Sequence, residues 1–365
     1  MYSKKKIIKN LILVFAILII LIITVFSLGD IKTICDVLIH QTNYAYIAIC
    51  VALILLYCFF FQLSLTILIK HKYKEISVVD SMYISGSEFF FNGITPFSSG
   101  GQPFQAYALK AKKMKLSDST SALLINFLAY QIVMNLFSVV CLCVYFSKLK
   151  SQIDNLIWLV IVGFSINILM MLFIILIGTT KFAGNLMVKF LRLLCKIKFI
   201  NKFLGNKIEA FQVYVSEMQN AFKEMAQSKR IMLFVFLTKI LALFCYYSIP
   251  FFIFYAIGVD LTFKDLFYVI SMTSFALTIS VWVPTPGASG GAELAFTTLF
   301  SGLLSGYPDA NNLAVSGMLL WRLLTYYFLM VYGFIMYILF ERRNKNEDRT
   351  CLLYTSPSPR DLSTS

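Results

Sequence analysis

The sequence predicts an all-α, polytopic integral membrane protein with about six full spans plus two inverted, Gly/Pro-broken helix hairpins, either re-entrant or discontinuous. Three observations predict it. Of 365 residues, 59% are hydrophobic and only 14% charged, with a mean hydropathy of +0.78, whereas soluble domains hold near half and near a quarter. Apolar runs recur at the length of about 20 residues that a hydrocarbon core of about 30 Å demands. Two further apolar stretches are interrupted by the same Gly- and Pro-rich pattern.

Each run is read from its flanks. Leu11 to Gly29 follows Lys4, Lys5, Lys6 and Lys9 and precedes Asp30. It is long enough to span and has no clear small-residue cleavage site, so it reads as a first helix with the N-terminus cytoplasmic. Asn43 to Ile69 ends at Lys70, His71, Lys72 and Lys74, which the positive-inside rule places in the cytoplasm. Ser119 to Ser147 and Asn155 to Thr180 leave from and return to basic flanks. Ile231 to Val259 contains Lys239 and a helix-kinking Pro250. Leu313 to Phe340 contains Arg322 and finishes inside at Glu341, Arg342 and Arg343, so the loop from Tyr307 to Asn312 is outside.

The formal charge of +14 is read as an inner-face signal and not as a nucleic-acid footprint. Segment 181–230 holds ten Lys or Arg against three Glu. Within it Leu186, Phe190, Leu193, Leu194, Ile197, Ile200 and Leu204 form one helical stripe opposite Lys189, Arg192 and Lys196. Two readings stand: an amphipathic helix on the inner leaflet, whose anionic lipids attract each basic residue by about 1 kcal/mol, or an ordinary cytoplasmic connector. Cys50, Cys58, Cys141, Cys143 and Cys245 fall inside apolar spans and read as small hydrophobes. No CxxC or Cys/His cluster calls for a metal, and no cofactor is expected. Residues 1–349 form a single transmembrane domain. Residues 350–365, Ser/Pro-rich and abruptly different, resemble translated sequencing-adapter read-through and are set apart from the fold.

The two broken stretches run Phe89 to Phe104 and Val281 to Leu294. They share T-P-x-x-S-G-G: Thr95, Pro96, Ser99, Gly100 and Gly101 against Thr285, Pro286, Ser289, Gly290 and Gly291, every pair offset by 190. Five identities in register indicate an internal repeat. The first stretch lies between basic, cytoplasmic flanks and the second between outside flanks, so the copies are inverted. Discontinuous helices at corresponding positions of inverted repeats point to a transport site near the midplane. Helix N-termini with Ser, Gly and free N–H groups favour anions such as phosphate.

Four ionisable residues fall at membrane depth: Glu88, Lys239, Glu293 and Arg322. A charge there costs at least about 2.5 kcal/mol, so such residues face a cavity or pair. Lys239 and Arg322 are the natural partners of Glu88 and Glu293, and interhelical ion-pair glue is the competing reading. Gly287-Ala288-Ser289-Gly290-Gly291 matches short serine-nucleophile patterns, but the chemistry needs a histidine base. The two histidines, His40 and His71, are predicted on opposite faces and far upstream. No H-E-x-x-H or Walker A sequence is present.

Along Asn92-Gly93-Ile94-Thr95-Pro96-Phe97, Gly100-Gly101-Gln102-Pro103-Phe104-Gln105, Pro284-Thr285-Pro286-Gly287, Gly290-Gly291-Ala292-Glu293 and Trp321 to Tyr327, the chain resembles the lysylphosphatidylglycerol synthase transmembrane family. This is the membrane half of the multiple peptide resistance factor. The resemblance covers about residues 5 to 345. It implies a bacterial inner-membrane protein that moves phospholipid, aminoacylated phosphatidylglycerol in the best-known members, between leaflets, with resistance to cationic antimicrobial peptides as the outcome. Members named as lysyltransferases add a soluble acyltransferase domain, to which no residues here correspond, so lysyl transfer is not expected of this chain by itself. Some members also carry an acidic residue and an Arg where Gln102 and Gln105 stand.

The resulting expectation is a flippase-like lipid carrier. Its substrate site comprises Glu88, Asn92, Thr95, Pro96, Ser99, Gly100, Gly101, Gln102, Lys239, Thr285, Pro286, Ser289, Gly290, Gly291, Glu293 and Arg322. Arg322 or Lys239 binds the phosphate, and Glu88 or Glu293 a cationic headgroup. The alternatives are a membrane subunit that presents lipid to a separate synthase, and a carrier of polyprenyl-phosphate-linked sugars. Partners are phospholipid substrate and anionic inner-leaflet lipids, with a separate synthase or a second copy allowed.

Overall fold

The computed structural model describes residues 36–153, 157–197, 207–280 and 285–355, with Lys32 and Val283 besides. The expected first helix, Leu11 to Gly29, lies outside the described residues. So do residues 356–365 of the tail, although the last helix runs on to Thr355. The described residues are helical, with no strand among them.

The α-helices that build the fold are α1 (Tyr44–Lys72), α2 (Val78–Gly93), α3 (Gly101–Ala111), α4 (Leu116–Ile153), α5 (Ile157–Thr179), α6 (Lys181–Leu194), α7 (Ile208–Gln227), α8 (Lys229–Ala256), α9 (Leu266–Ser280), α10 (Gly291–Leu303), α11 (Ala310–Arg322) and α12 (Leu329–Thr355). Five stretches are long and apolar enough to cross a membrane: α1, α4 to Tyr145, α5 from Ile161, α8, and α11 to Lys345. They coincide with five of the six expected spans. The last is interrupted by a π-helical turn, Leu323–Phe328, directly after Arg322. Such turns are rare and frequent at functional sites.

The Gly/Pro-broken stretches form α2–α3 and α9–α10. With 16, 11, 15 and 13 residues, each arm rises about 16 to 24 Å at 1.5 Å per residue, too short to cross alone. Lys112, at the end of α3, pairs with Asp80, at the start of α2, at 3.3 Å. Asp260, before α9, donates its N–H to the Tyr307 hydroxyl, beyond α10, at 2.9 Å. Each hairpin therefore leaves from and returns to one end of the molecule, which makes both re-entrant.

The hairpins enter from opposite ends. At one end Asp80 also meets Arg343 of α12 at 2.8 Å, and Lys72 of α1 meets Asp118 of α4 at 3.1 Å and Glu224 of α7 at 2.8 Å. At the other, Asn43 before α1 donates its N–H to the Ala256 carbonyl at the end of α8, at 2.7 Å. The antiparallel α1 and α8 pack along their lengths, α2 packs on α12, and α9 on α4. Each hairpin thus leans on the closing span of the other repeat. Adding 190 to the bounds of α3 gives 291 and 301, against Gly291–Leu303 for α10. The outward faces of the spans stay apolar, as at Leu55, Leu56 and Phe59 of α1, because lipid replaces water as their neighbour.

Candidate functional site

The two T-P-x-x-S-G-G motifs fold alike because the same bonds close both turns. Pro96–Ser98 and Pro286–Ala288 are single 3₁₀ turns. In each, the Ser hydroxyl donates to the Pro carbonyl at 2.9 Å, Ser99 to Pro96 and Ser289 to Pro286. Both place two residues at positive φ, Phe97 and Ser98 at 55° and 48°, Gly287 and Ala288 at 59° and 54°. The left-handed region disfavours any residue with a Cβ. Equal distortion at positions 190 apart is structural support for the repeat. At Gly287 a Cβ would also drive into the Tyr326 ring, 2.7 Å from Cδ2.

The copies differ at the glycine pair. In the first, the Gly100 N–H donates to Thr95 Oγ1 and the Gly101 N–H to Asn92 Oδ1, both at 2.8 Å. In the second, the Gly290 N–H donates to Glu293 Oε2 at 2.7 Å. These N–H groups, read from sequence as free for an anion, are taken up by side chains of their own turns. The reason is that Thr95, Asn92 and Glu293 stand close by along the chain and within reach.

Glu293 and Arg322 form a buried, two-pronged ion pair, Nη2 to Oε2 at 2.9 Å and Nε to Oε1 at 2.9 Å. Arg322 further donates to the Gly287 carbonyl at 3.2 Å and the Ala288 carbonyl at 3.5 Å. Its guanidinium stands 5.3 Å from the Trp321 ring and 5.5 Å from the Tyr326 ring. The expected partnership of Lys239 with Glu88 takes another form. Glu88 Oε1 accepts from Asn92 Nδ2 at 3.2 Å and Oε2 from Gln105 Nε2 at 2.9 Å. Lys239 is fully buried, its Nζ 3.8 Å from the Phe61 ring centre and without a hydrogen-bond partner. Gln105, noted in the sequence only as a departure from relatives, is thus a direct partner of Glu88.

The tips of the hairpins pack on each other, and a cavity of about 180 Å³ lies at their junction. The first motif contributes Asn92, Gly93 and Ser98, the second Gly287 and Ala288, and the last span Arg322, Thr325 and Tyr326. Tyr326 ties the halves together, its hydroxyl donating to the Gly93 carbonyl at 2.9 Å. Of the residues singled out from sequence, Asn92 and Arg322 line this cavity. Thr95, Pro96, Ser99, Gly100, Gly101, Thr285, Pro286, Ser289, Gly290 and Gly291 build the turns around it, and Gln102 sits half-buried in the first turn of α3. Glu88, Lys239 and Glu293 stand behind the wall. Sequence reasoning missed Ser280, Tyr130 and Tyr246, which also line the cavity. Their types are too common in this chain to signal, since 16% of it is aromatic.

An all-helical membrane protein with an inverted pair of re-entrant hairpins whose tips meet at a cavity belongs to the class of inverted-repeat, multi-pass membrane proteins. Within that class, the chain belongs to the lysylphosphatidylglycerol synthase TM region family, which matches residues 11–333. It is similar to a "UPF0104 membrane protein" of Archaeoglobus fulgidus, 26% identical over 308 residues, which cover 78% of this chain and 85% of that one. No solved structure matches the chain.

Proposed function

We propose that the chain carries a phospholipid headgroup between leaflets through the cavity at the hairpin junction. The observation that supports this best is Arg322, a cation at membrane depth that lines a cavity where two oppositely entering hairpins meet. Short hairpins place non-helical turns inside the membrane, which is tolerated only where they line a cavity or are buried in protein. A cavity of about 180 Å³ is below the roughly 300–1,000 Å³ typical of sites that enclose a whole small molecule. It suits a headgroup whose acyl chains remain in lipid.

Arg322 supplies the phosphate's counter-charge. Because Glu293 already holds its Nη2 and Nε, phosphate binding works by sharing or displacing that carboxylate, and a displaced Glu293 becomes available to a cationic headgroup. Asn92, Ser98, Thr325 and Tyr326 add neutral hydrogen-bonding groups at the wall. The family to which the chain belongs favours phosphatidylglycerol, free or aminoacylated, as the lipid, with protection of a bacterial plasma membrane against cationic peptides as the result. The basic end, with Lys72, Lys112 and Arg343, is cytoplasmic in this reading, and so is the N-terminus.

The α6 helix then lies on the inner leaflet. It starts two residues after α5 ends and hides Ala183, Gly184 and Val188 against α7. Phe182, Leu186, Phe190, Leu193 and Ile197 are left 54–77% exposed beside Lys189, Arg192 and Lys196.

Reconstitution into liposomes with fluorescent lipids tests the carrier reading. Wild-type protein speeds exchange of phosphatidylglycerol or its lysyl ester over empty vesicles, and Arg322→Ala slows it at least tenfold, about 1.4 kcal/mol. Exchange no faster than in empty vesicles for a panel including polyprenyl phosphates refutes transport and favours lipid presentation to a separate synthase.

A further inference from the structure

Among the described residues, Lys239 and Glu88 are the charged-type side chains at membrane depth that the Arg322 site leaves over, Asp80 and Asp118 being buried at the basic end. Arg322 and Glu293 touch at two points, whereas Lys239 Nζ has no hydrogen-bond partner and Glu88 is held by neutral amides. Glu88 is held by two neutral amides whose orientation is fixed. Asn92 must turn Oδ1 to the Gly101 N–H, and Gln105 Nε2 also reaches the Ser85 carbonyl at 3.4 Å, so both present NH₂ to the carboxylate. Lys239 Nζ faces the Phe61 ring and donates to nothing. Lys239 of α8 is the titratable group that acts on Glu88, and Glu88 in turn acts on Lys239, on Tyr130 of α4 and on Tyr57 of α1.

Two opposite charges that are buried without contact lack most of the Coulomb gain that offsets their desolvation. In such surroundings a group is relieved by changing its protonation state. We propose that Glu88 and Lys239 form a proton-exchange site that communicates with the cavity. Lys239 releases a proton to water, the electron pair of its N–H bond staying on Nζ, and Glu88 takes up a proton from water on a carboxylate oxygen. Two charges become two neutral groups, and Nζ gives up no hydrogen bond, only its contact as a cation with the Phe61 ring. The change is felt at Glu88, where the new O–H weakens its oxygen as the acceptor of the Asn92 or Gln105 amide. Asn92 is the link, since the residue lines the cavity while its amide touches Glu88 and holds the first N–H of α3. Protonation of Glu88 therefore moves a cavity wall group and the start of the re-entrant arm together. Intramembrane carboxylates and lysines commonly serve as proton relays.

The consequence for transport rests on the proposed carrier function, but the proton site does not, and two measurements separate them. The full chain in lipid nanodiscs is treated with dicyclohexylcarbodiimide, which adds to protonated carboxyls in apolar surroundings, and labels are mapped by mass spectrometry over a pH series. Glu88 is expected to label in a pH-dependent way, and Glu293, held by Arg322, to stay unlabelled. Lys239→Met removes the cation opposing neutral Glu88 and shifts its labelling to higher pH. No labelling of Glu88 in either protein, or identical profiles, overturns the proposal. In vesicles the ratio of lipid exchange with and without an imposed pH difference departs from one for wild type and returns to one for Glu88→Gln. A wild-type ratio of one overturns the coupling. Absence of all exchange overturns the carrier reading, while the labelling still decides the proton site.

Discussion

Arg322 concentrates the consequences of one residue. Its partner Glu293 is 2% exposed and also receives the Gly290 N–H, so Arg322→Ala strands a carboxylate in the core, a loss of about 3–5 kcal/mol in comparable buried pairs. Replacing both, Arg322→Met with Glu293→Met, removes the charges together and recovers much of that loss. Thermal unfolding in detergent measures it, and a double variant no more stable than Arg322→Ala contradicts this account. That these two residues matter was legible in the sequence, because charges in apolar runs are rare. That Glu88 would take Asn92 and Gln105 in place of Lys239 was not, because a span assignment gives depth but not rotation about the helix axis. The apolar run of α8 likewise hid Tyr246, whereas α4 carries buried Asn126, Gln131, Asn135 and Ser138 that mark the inward side on which Tyr130 sits.

At the scale of elements, α6 separates two kinds of amphipathicity. Its small residues pack on α7, where Gly184 lets the Gln219 amide come close, while its large apolar residues point away from the protein. Of the predicted stripe, Leu186, Phe190, Leu193 and Ile197 are therefore exposed, Leu194 is half-buried, and Ile200 and Leu204 lie outside the described residues. A Phe190→Trp variant in vesicles of phosphatidylglycerol with brominated acyl chains should lose much of its emission at that site. Emission equal to that in unbrominated vesicles places α6 off the membrane. The periodicity was readable without a structure; which face the protein left uncovered was not, since α7 lies more than a dozen residues further along. The π turn at Leu323–Phe328 had no signal either, yet it is the segment that brings Thr325 and Tyr326 to the cavity.

For the whole molecule, the inverted arrangement makes a prediction about sidedness. With the eight native cysteines replaced, single variants Glu75→Cys and Lys110→Cys flank the first hairpin, and Lys264→Cys and Ser305→Cys the second; all four positions are exposed. In sealed, oriented vesicles an impermeant maleimide should reach the first pair from one side and the second pair from the other. Labelling of Glu75→Cys and Lys110→Cys from opposite sides contradicts the re-entrant fold. Composition and run length alone established a polytopic helical membrane protein. The 190-residue offset established two related halves, because five residue types in register need no knowledge of contacts. Only the tertiary structure decided that the broken stretches return to the end they came from, that their tips meet, and that of the two charge pairs expected at membrane depth Arg322–Glu293 makes contact and Lys239–Glu88 does not. Those facts depend on which helices lie side by side, and in a bilayer that is set by close packing between distant segments, not by the hydropathy written along the chain.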